Sequence, residues 1–460
     1  MASKEFPIVP RPVKPVKTEN RIILGPTLPV AESIPILQML RDNEPFSMRG
    51  QPPVVWDHAE KHHVYDAYGN KWLDWSSGVL VTNAGHGRRE IRDAIIAETE
   101  RGLIHTYCFP SEARAKLAKK LVEIAPPTMT RAFILTTGSE TTECAIKLAQ
   151  TWGVKHGGPQ KNIIVTFDEA FHGRTLGSQL AGGIPALKEW IGDLDPRYVQ
   201  VPFPGSNIVF DKSFDLFERT LADKGVKPEN VAGVMSETYQ GGHCGFMPDA
   251  YAVSLREWCD KYNVVMIYDE VQAGFGRTGK MWGFEHHGIV PDLMCLGKGM
   301  SSSLPIAAVI GKEDIMNLYG PGSMTSTHSG HPLGSVAALA SIELIEREGL
   351  VENARVMGER LKKGLLKIHK RHSKIFDFEG RGLVYGFMAL KDRVSLVPDD
   401  ELAFEIIRAC FEAGLLMFAP VGRGGGTVKI SPPLCITADA IDESVEVFGW
   451  VVDEVVEKMR

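Results

Sequence analysis

The chain has 460 residues, 44% of them hydrophobic and 23% charged, with a net charge of −6. That composition suits a soluble globular protein of two or three domains with a large core. No basic stripe interleaves with aromatic residues and no apolar run reaches the length of a membrane span, so neither nucleic acid nor a bilayer is an expected partner.

The first segment, residues 1–22, contains PIVPRPVKPVK and reads as a flexible, extended leader, because its prolines fix the backbone and remove donors. It carries no apolar core of a signal peptide. Seven scattered cysteines, with no C-x-x-C pair, read as reduced thiols rather than a disulfide framework or a zinc site. Together these features predict a cytoplasmic protein. Residues 23–75 form an amino-terminal segment expected to join the smaller domain. Within it VVWDHAEKHHVYDAYGNKWLDW alternates apolar and polar residues around Gly69-Asn70, the pattern of a hairpin or small meander.

Residues 76–333 read as the large domain. Short apolar strands are predicted at 131–136, 162–167, 231–237, 264–269, 293–296 and 307–310. They alternate with helical stretches such as 141–156 and 250–262. Ala145, Leu148, Ala149 and Trp152 make one apolar stripe on the first of these. Nearly continuous apolar strands between helices imply an α/β fold with a mostly parallel sheet, covered on both faces. Ligands of such sheets bind beyond the carboxyl ends of the strands. Residues 334–460 read as a smaller α+β domain, with helices at 334–348, 351–369, 401–413 and 439–459. Its strands fall within 375–391 and at 415–418 and 427–430.

Two adjacent acids, Asp269 and Glu270, stand where the apolar run VVMIYDE stops. Carboxylates there are costly unless paired or functional. The run DLMCLGKG ends in Lys298 between Gly297 and Gly299, whose lack of side chains lets a ligand approach the amine closely. An acid and a lysine on neighbouring strand ends can share one small site. Pyridoxal 5′-phosphate (PLP) needs such a pair. The amine forms a Schiff base with its aldehyde, and the carboxylate keeps the pyridine nitrogen protonated so that the ring withdraws electrons. ILTTGSETTECAIKLA runs from a strand through Thr137-Gly138-Ser139 into a helix. Helix-start N–H groups beside a hydroxyl suit a phosphate, although the same residues also make an ordinary helix cap. In FDEAFHGRT, Phe171 and His172 precede a glycine, where an aromatic ring can cover a cofactor face or plug the core.

Taken together, these segments resemble class III aminotransferases of PLP fold type I. The likeness rests on YDEVQAGFGRTGKMWGFEHHGIVPDLMCLGKGM, TTGSETTECAIKLA, AFHGRT, THSGHPLG and VYDAYGNKWLDWSSGVLVTNAGH, in this order along the chain. It implies a seven-stranded-type sheet in a large PLP-binding domain. It also implies that Lys298 carries the cofactor, Asp269 pairs with the pyridine nitrogen and Gln272 lies near the ring hydroxyl. Gly138 and Ser139 would bind phosphate, Phe171 would cover the ring with His172 beside it, and Glu237 would stand near the substrate. Thr327 would reach the phosphate of a neighbouring subunit, which implies a homodimer. The substrates implied are a small amine or amino acid and an oxo acid, used in ping-pong order.

Departures fall on the substrate side. Thr238 stands where the family usually has proline, and His243 and Cys244 replace more usual residues in ETYQGGHCG. Lys429, in VKISPPL, occupies the place of an arginine that grips a carboxylate, and it offers a point charge instead of a fork. Arg423, in VGRGGG, is a second candidate for that grip. A racemase or epimerase, or a lyase or mutase, on the same site stays open, as does a noncatalytic binding protein. Intact Lys298 and Asp269 argue against the last. GFGRTG is a literal G-x-G-x-x-G, but the next strand ends in Lys298 and not in an acid, which disfavours a dinucleotide fold. The pairs His62-His63, His286-His287 and His328/His331 have no Cys or acid at ligand spacing, so no metal is expected.

Overall fold

The computed structural model describes residues 4–460, and the chain divides into two compact units. One comprises Arg89–Val351; the other comprises the residues before Arg89 together with Glu352–Arg460.

Arg89–Val351 is built on seven strands. In chain order they are β1 (Arg131–Leu135), β2 (Ile163–Phe167), β3 (Tyr198–Val201), β4 (Val231–Glu237), β5 (Val265–Asp269), β6 (Leu293–Leu296) and β7 (Ala307–Gly311). Their spatial order is β3-β2-β4-β5-β6-β7-β1. Every neighbouring pair is parallel except β6/β7 and β7/β1. β7 runs against the rest because the chain between β6 and β7 turns back without a crossover helix. All residues of β4, β5, β6 and β7 are buried, as their apolar runs require. β3, absent from the expected strands, lies at the sheet edge with a half-buried alternation, so its sequence YVQV shows no continuous apolar run.

Helix α1 (Gly138–Gly157) lies across the sheet with Ala145, Leu148 and Ala149 fully buried and Trp152 at the margin of the core. Small residues permit the close approach: a Cβ on Gly153 would stand 2.6 Å from the Ala232 side chain, and one on Gly233 2.9 Å from Ala149. Helix α2 (Asp249–Tyr262) stops at Asn263, which takes a left-handed φ of 51°. Helix α3 (Pro332–Arg347) packs on the helices Arg89–Glu100 and Glu112–Glu123. It therefore belongs to this unit, and the division falls after Val351 and not after Leu333.

Among its described residues the second unit holds two main sheets, antiparallel but for one added strand, and a two-residue ladder. One contains His58–Glu60, His63–Tyr65 and Lys71–Asp74, extended by Ile22–Ile23 and Val16–Lys17. Leu415–Leu416 adds to Lys71–Asp74 in parallel. The meander turns where Asp66 accepts N–H bonds from Tyr68 and Asn70 and a side-chain bond from Asn70, with Gly69 at φ 90°. The other sheet is Phe376–Arg381, Val384–Ala389 and Thr427–Ile430. Trp72 stacks on Phe411 at 5.7 Å and donates its indole N–H to the Phe411 carbonyl at 2.9 Å. The expected leader is tied down over its described part: Phe6 is buried against Phe404, and Arg11–Pro12 pairs with Thr27–Leu28. Residues 1–3 of that leader lie outside the described residues. Among the described residues, no helix is long and apolar enough to cross a membrane.

Candidate active site at the carboxyl ends of the strands

The carboxyl ends of β4, β5 and β6 stand side by side. Glu237 pairs in register with Asp269, and Asp269 with Cys295. Lys298 follows two residues after β6 ends, and the loop after β2 brings His172 to the same place. Each apolar run stops here, so its first polar side chains meet at the sheet end, where α/β sheets bind ligands.

Asp269 is held from two sides. Its Oδ2 lies 2.9 Å from His172 Nδ1, and its Oδ1 accepts the Val271 N–H at 3.1 Å. Burial works to lower the pKa of His172, but the hydrogen bond and charge of Asp269, with the charge of Glu237, raise it above its ordinary value. The Nε2 atom of His172 is buried without a partner among the described residues. Lys298 takes a left-handed φ of 41°, a conformation that costs a non-glycine residue energy and clusters at functional sites. Among the described residues its amine makes no hydrogen bond or ion pair. Burial lowers its pKa against the opposing pull of Asp269 and Glu237. A lysine that loses its proton more readily presents more of its free amine, the form that acts as nucleophile and base, near neutral pH.

Of the two adjacent acids, only Asp269 faces His172. Glu270 accepts the Thr238 hydroxyl and the N–H groups of Gly283 at 2.7 Å and Phe284 at 3.0 Å. Burial pushes its pKa up to about 7. It anchors the segment after β5.

The start of α1 is an anion cradle. Thr137 and Glu140 form a capping box, which satisfies the N–H groups of Thr137 and Glu140. The N–H groups of Gly138 and Ser139 have no partner among the described residues. Thr142 donates its hydroxyl to the carbonyls of both Ser139 and His172, fixing the helix start to the loop after β2. Gly173, at φ 133°, is required there, since a Cβ would stand 2.4 Å from Ser139 Oγ. Val271 sits between the cradle and the lysine loop, 3.0 Å from a Cβ built on Gly138 and 3.4 Å from one on Gly297. Phe171 is half-buried in the same loop, under the Arg174 guanidinium. Gln272 lies against Gly241, where a Cβ would be 2.1 Å from its amide nitrogen.

The structure thus groups Lys298, Asp269, His172, Glu237, Phe171, Gly138, Ser139 and Gln272 on one unit. Thr327 is on that unit too but exposed, in the loop before α3. Lys429 and Arg423 belong to the other unit. Lys429 is buried on Thr427–Ile430, opposite Gly386, and Arg423 donates to the Leu396 carbonyl. Thr142 and Val271 were not singled out from sequence. A hydroxyl four residues into a helix and a valine after an acid carry no motif of their own.

A model of the aminotransferase class-III family matches residues 46–452. The chain belongs to the class III aminotransferases. It is 31% identical over 406 residues to the acetylornithine aminotransferase of Caldanaerobacter subterraneus, covering 88% of this chain and 95% of that one. It is 30% identical over 442 residues to the 4-aminobutyrate aminotransferase of Mycobacterium leprae, covering 93% and 97%. Among solved structures, a transaminase from the marine bacterium Virgibacillus superposes with a TM-score of 0.84 at 26% identity, over 93% of this chain and 100% of that one. An amine transaminase from an uncultivated Pseudomonas species, solved in its PLP-bound form, gives 0.81 at 26% identity, over 87% and 95%. This class III enzyme therefore uses PLP and transfers amino groups, and the racemase alternative is not favoured. Its own residues fit that cofactor: an unpartnered amine, a braced buried carboxylate and two unpartnered helix-start N–H groups lie on one sheet end.

Proposed function

We propose that Lys298, Asp269 and the start of α1 hold PLP, and that the enzyme moves an amino group from a small amine or amino acid to an oxo acid through this one site. The observation that carries this is the buried Asp269–His172 pair beside Lys298, whose amine has no partner. When bound, PLP supplies an electron-withdrawing ring that stabilises negative charge at the substrate carbon bearing nitrogen. Asp269, fixed by His172 and the Val271 N–H, would hold a proton on the ring nitrogen. Gly138 and Ser139, at the start of α1, would bind the phosphate. Phe171 would cover one ring face and Gln272 would meet the ring hydroxyl. Lys298 would be the group that takes and returns a proton at the substrate carbon, and its lowered pKa suits both tasks. Donor and acceptor use the site in turn.

The substrate class follows the relatives, whose names include acetylornithine, 4-aminobutyrate and amine. Acetylornithine and 4-aminobutyrate carry an amine distant from a carboxylate, for which Lys429 or Arg423 is the candidate grip. A homodimer is supported by exposed Thr327 and by the apolar side chains of Ile104, Tyr107 and Phe109 exposed on the same unit, Phe109 at 73%. Tyr107 OH lies 3.4 Å from Thr325 Oγ1, two residues from Thr327. The scattered free cysteines support a cytoplasmic location.

An absorbance spectrum of the PLP-loaded protein, taken with single amino compounds and no oxo acid, tests this reading. Conversion of the lysine-bound band to the pyridoxamine form identifies a donor. A persistent band with loss of optical purity in the amino acid would make the enzyme a racemase.

A further inference from the structure

Two loops border the site, residues 168–174 after β2 and 238–246 after β4. Both carry strained turns: Glu169 has φ 66° and Cys244 φ 64°. Apart from the single bridge between Tyr239 and Phe246, neither loop has regular structure; besides a 3.7 Å approach of His243 Nε2 to Glu169 Oε2, two hydrogen-bonded ties fasten them to each other. Glu237, at the end of β4, accepts the Phe171 N–H on Oε2 at 3.1 Å and the Gly241 N–H on Oε1 at 2.9 Å. The second tie runs through side chains. The Gly245 N–H donates to His243 Nδ1 at 2.9 Å, so the ring carries its proton on Nε2. That proton is donated to Gln240 Oε1 at 2.8 Å, which orients the amide so that Gln240 Nε2 donates to the Asp168 carbonyl at 2.6 Å. One tautomer therefore sets one amide, and the amide sets the turn that leads to Phe171.

We propose that Glu237 and the His243–Gln240 pair are positioning residues that fasten the two loops into one wall and thereby set Phe171 against the cofactor site. This rests on the reading of Phe171 and Lys298 given above. Glu237 is suited to the task because a carboxylate accepts on both oxygens, whereas its protonated form or an amide accepts well on only one. It is also poised. Burial raises its pKa to about 7, His172 opposes the rise and Asp269 adds to it, while Lys298 and Tyr239 also face it. The wall should loosen as Glu237 takes up a proton.

Hydrogen exchange of the holoenzyme, read peptide by peptide with steady-state kinetics alongside, tests the proposal in Glu237→Gln and His243→Ala. Either variant should speed exchange of the Phe171 and Gly241 amides at least ten-fold, leave β5 and β6 protected, and lower kcat more than it raises KM. In Glu237→Gln the acid limb of the kcat/KM profile near pH 7 should also disappear. If Glu237→Gln does not fold, His243→Ala carries the exchange test alone. Unchanged exchange in a folded variant overturns the wall and leaves the aminotransferase reading standing. No amino transfer by the unsubstituted protein overturns that reading, while the exchange result still decides the wall.

Discussion

The two units bury ionisable groups to opposite effect. In the amino- and carboxy-terminal unit, His62 and His63 pack ring on ring at 4.3 Å, and each has a buried nitrogen without a partner. Burial lowers their pKa values to about 4 and about 3, so both are neutral near pH 7. Nearby, Asp74 binds His86 at 2.7 Å and caps the turn at Ser76. These groups secure the meander. At the sheet end of the other unit, burial raises Glu237 and Glu270 to about 7 and lowers Lys298, while Asp269 keeps His172 inclined to hold its proton. Burial alone does not mark a functional site. The difference lies in the partners: among the described residues His62 and His63 face no buried carboxylate at hydrogen-bond distance, whereas Glu237, Asp269, His172 and Lys298 face one another.

Lys298→Ala should break that distinction most severely. Covalent cofactor attachment is lost and turnover should fall by on the order of 10⁴-fold or more, read by single-turnover kinetics. The thermal midpoint of the cofactor-free protein should barely move, since the amine has no partner to lose. His172→Gln comes next. It removes the ring that orients Asp269 and should lower kcat by about 10²-fold, the cost of misplacing a reacting group slightly. Unchanged kcat would make the pair merely structural.

pH should separate the units. His62 and His63 have folded pKa values below 6.5, so the stability they allow is present above pH 6.5 and lost as pH falls toward 4 and 3. Glu237 and Glu270 have folded values above 4.5, so the fold is favoured by their protonation and loses stability as pH rises from 4.5 through about 7. Between pH 7 and pH 5, protection factors, that is exchange rates divided into their intrinsic rates at each pH, should therefore fall in His58–Asp74 and rise in β4 and β5 on acidification. Parallel changes in both units would contradict the assignment. The smallest expected effect is that of Thr238→Val, which removes the hydroxyl donated to buried Glu270 and should cost about 1–3 kcal/mol in denaturant unfolding.

Most of the large unit was legible because its strands are continuous apolar runs that end in chemistry. β4 and β6 match the expected bounds, and β5 differs by one residue. The edge strand β3 was not legible, because half of its side chains face outward and its pattern is that of a loop. The glycine and lysine of GKG pointed to the site, but the left-handed φ of Lys298 has no sequence signature. The Asp269-Glu270 pair read as one costly feature. Which acid faces the site depends on the Thr238 hydroxyl and the Gly283 and Phe284 N–H groups, and these are brought to Glu270 only by folding. The proline-rich leader read as loose because prolines cannot pair in a ladder interior. Its order comes from Phe6 and from distant partners at Thr27–Leu28, which local pattern does not reveal.

The central claim is that Lys298 is the lysine that carries PLP at this sheet end. Borohydride reduction of the PLP-loaded protein, followed by proteolysis and peptide mass measurement, tests it directly. The account predicts one labelled peptide, the one that contains Gly297-Lys298-Gly299, and no label in Lys298→Ala. A label on another lysine, or none after PLP is supplied, would contradict it.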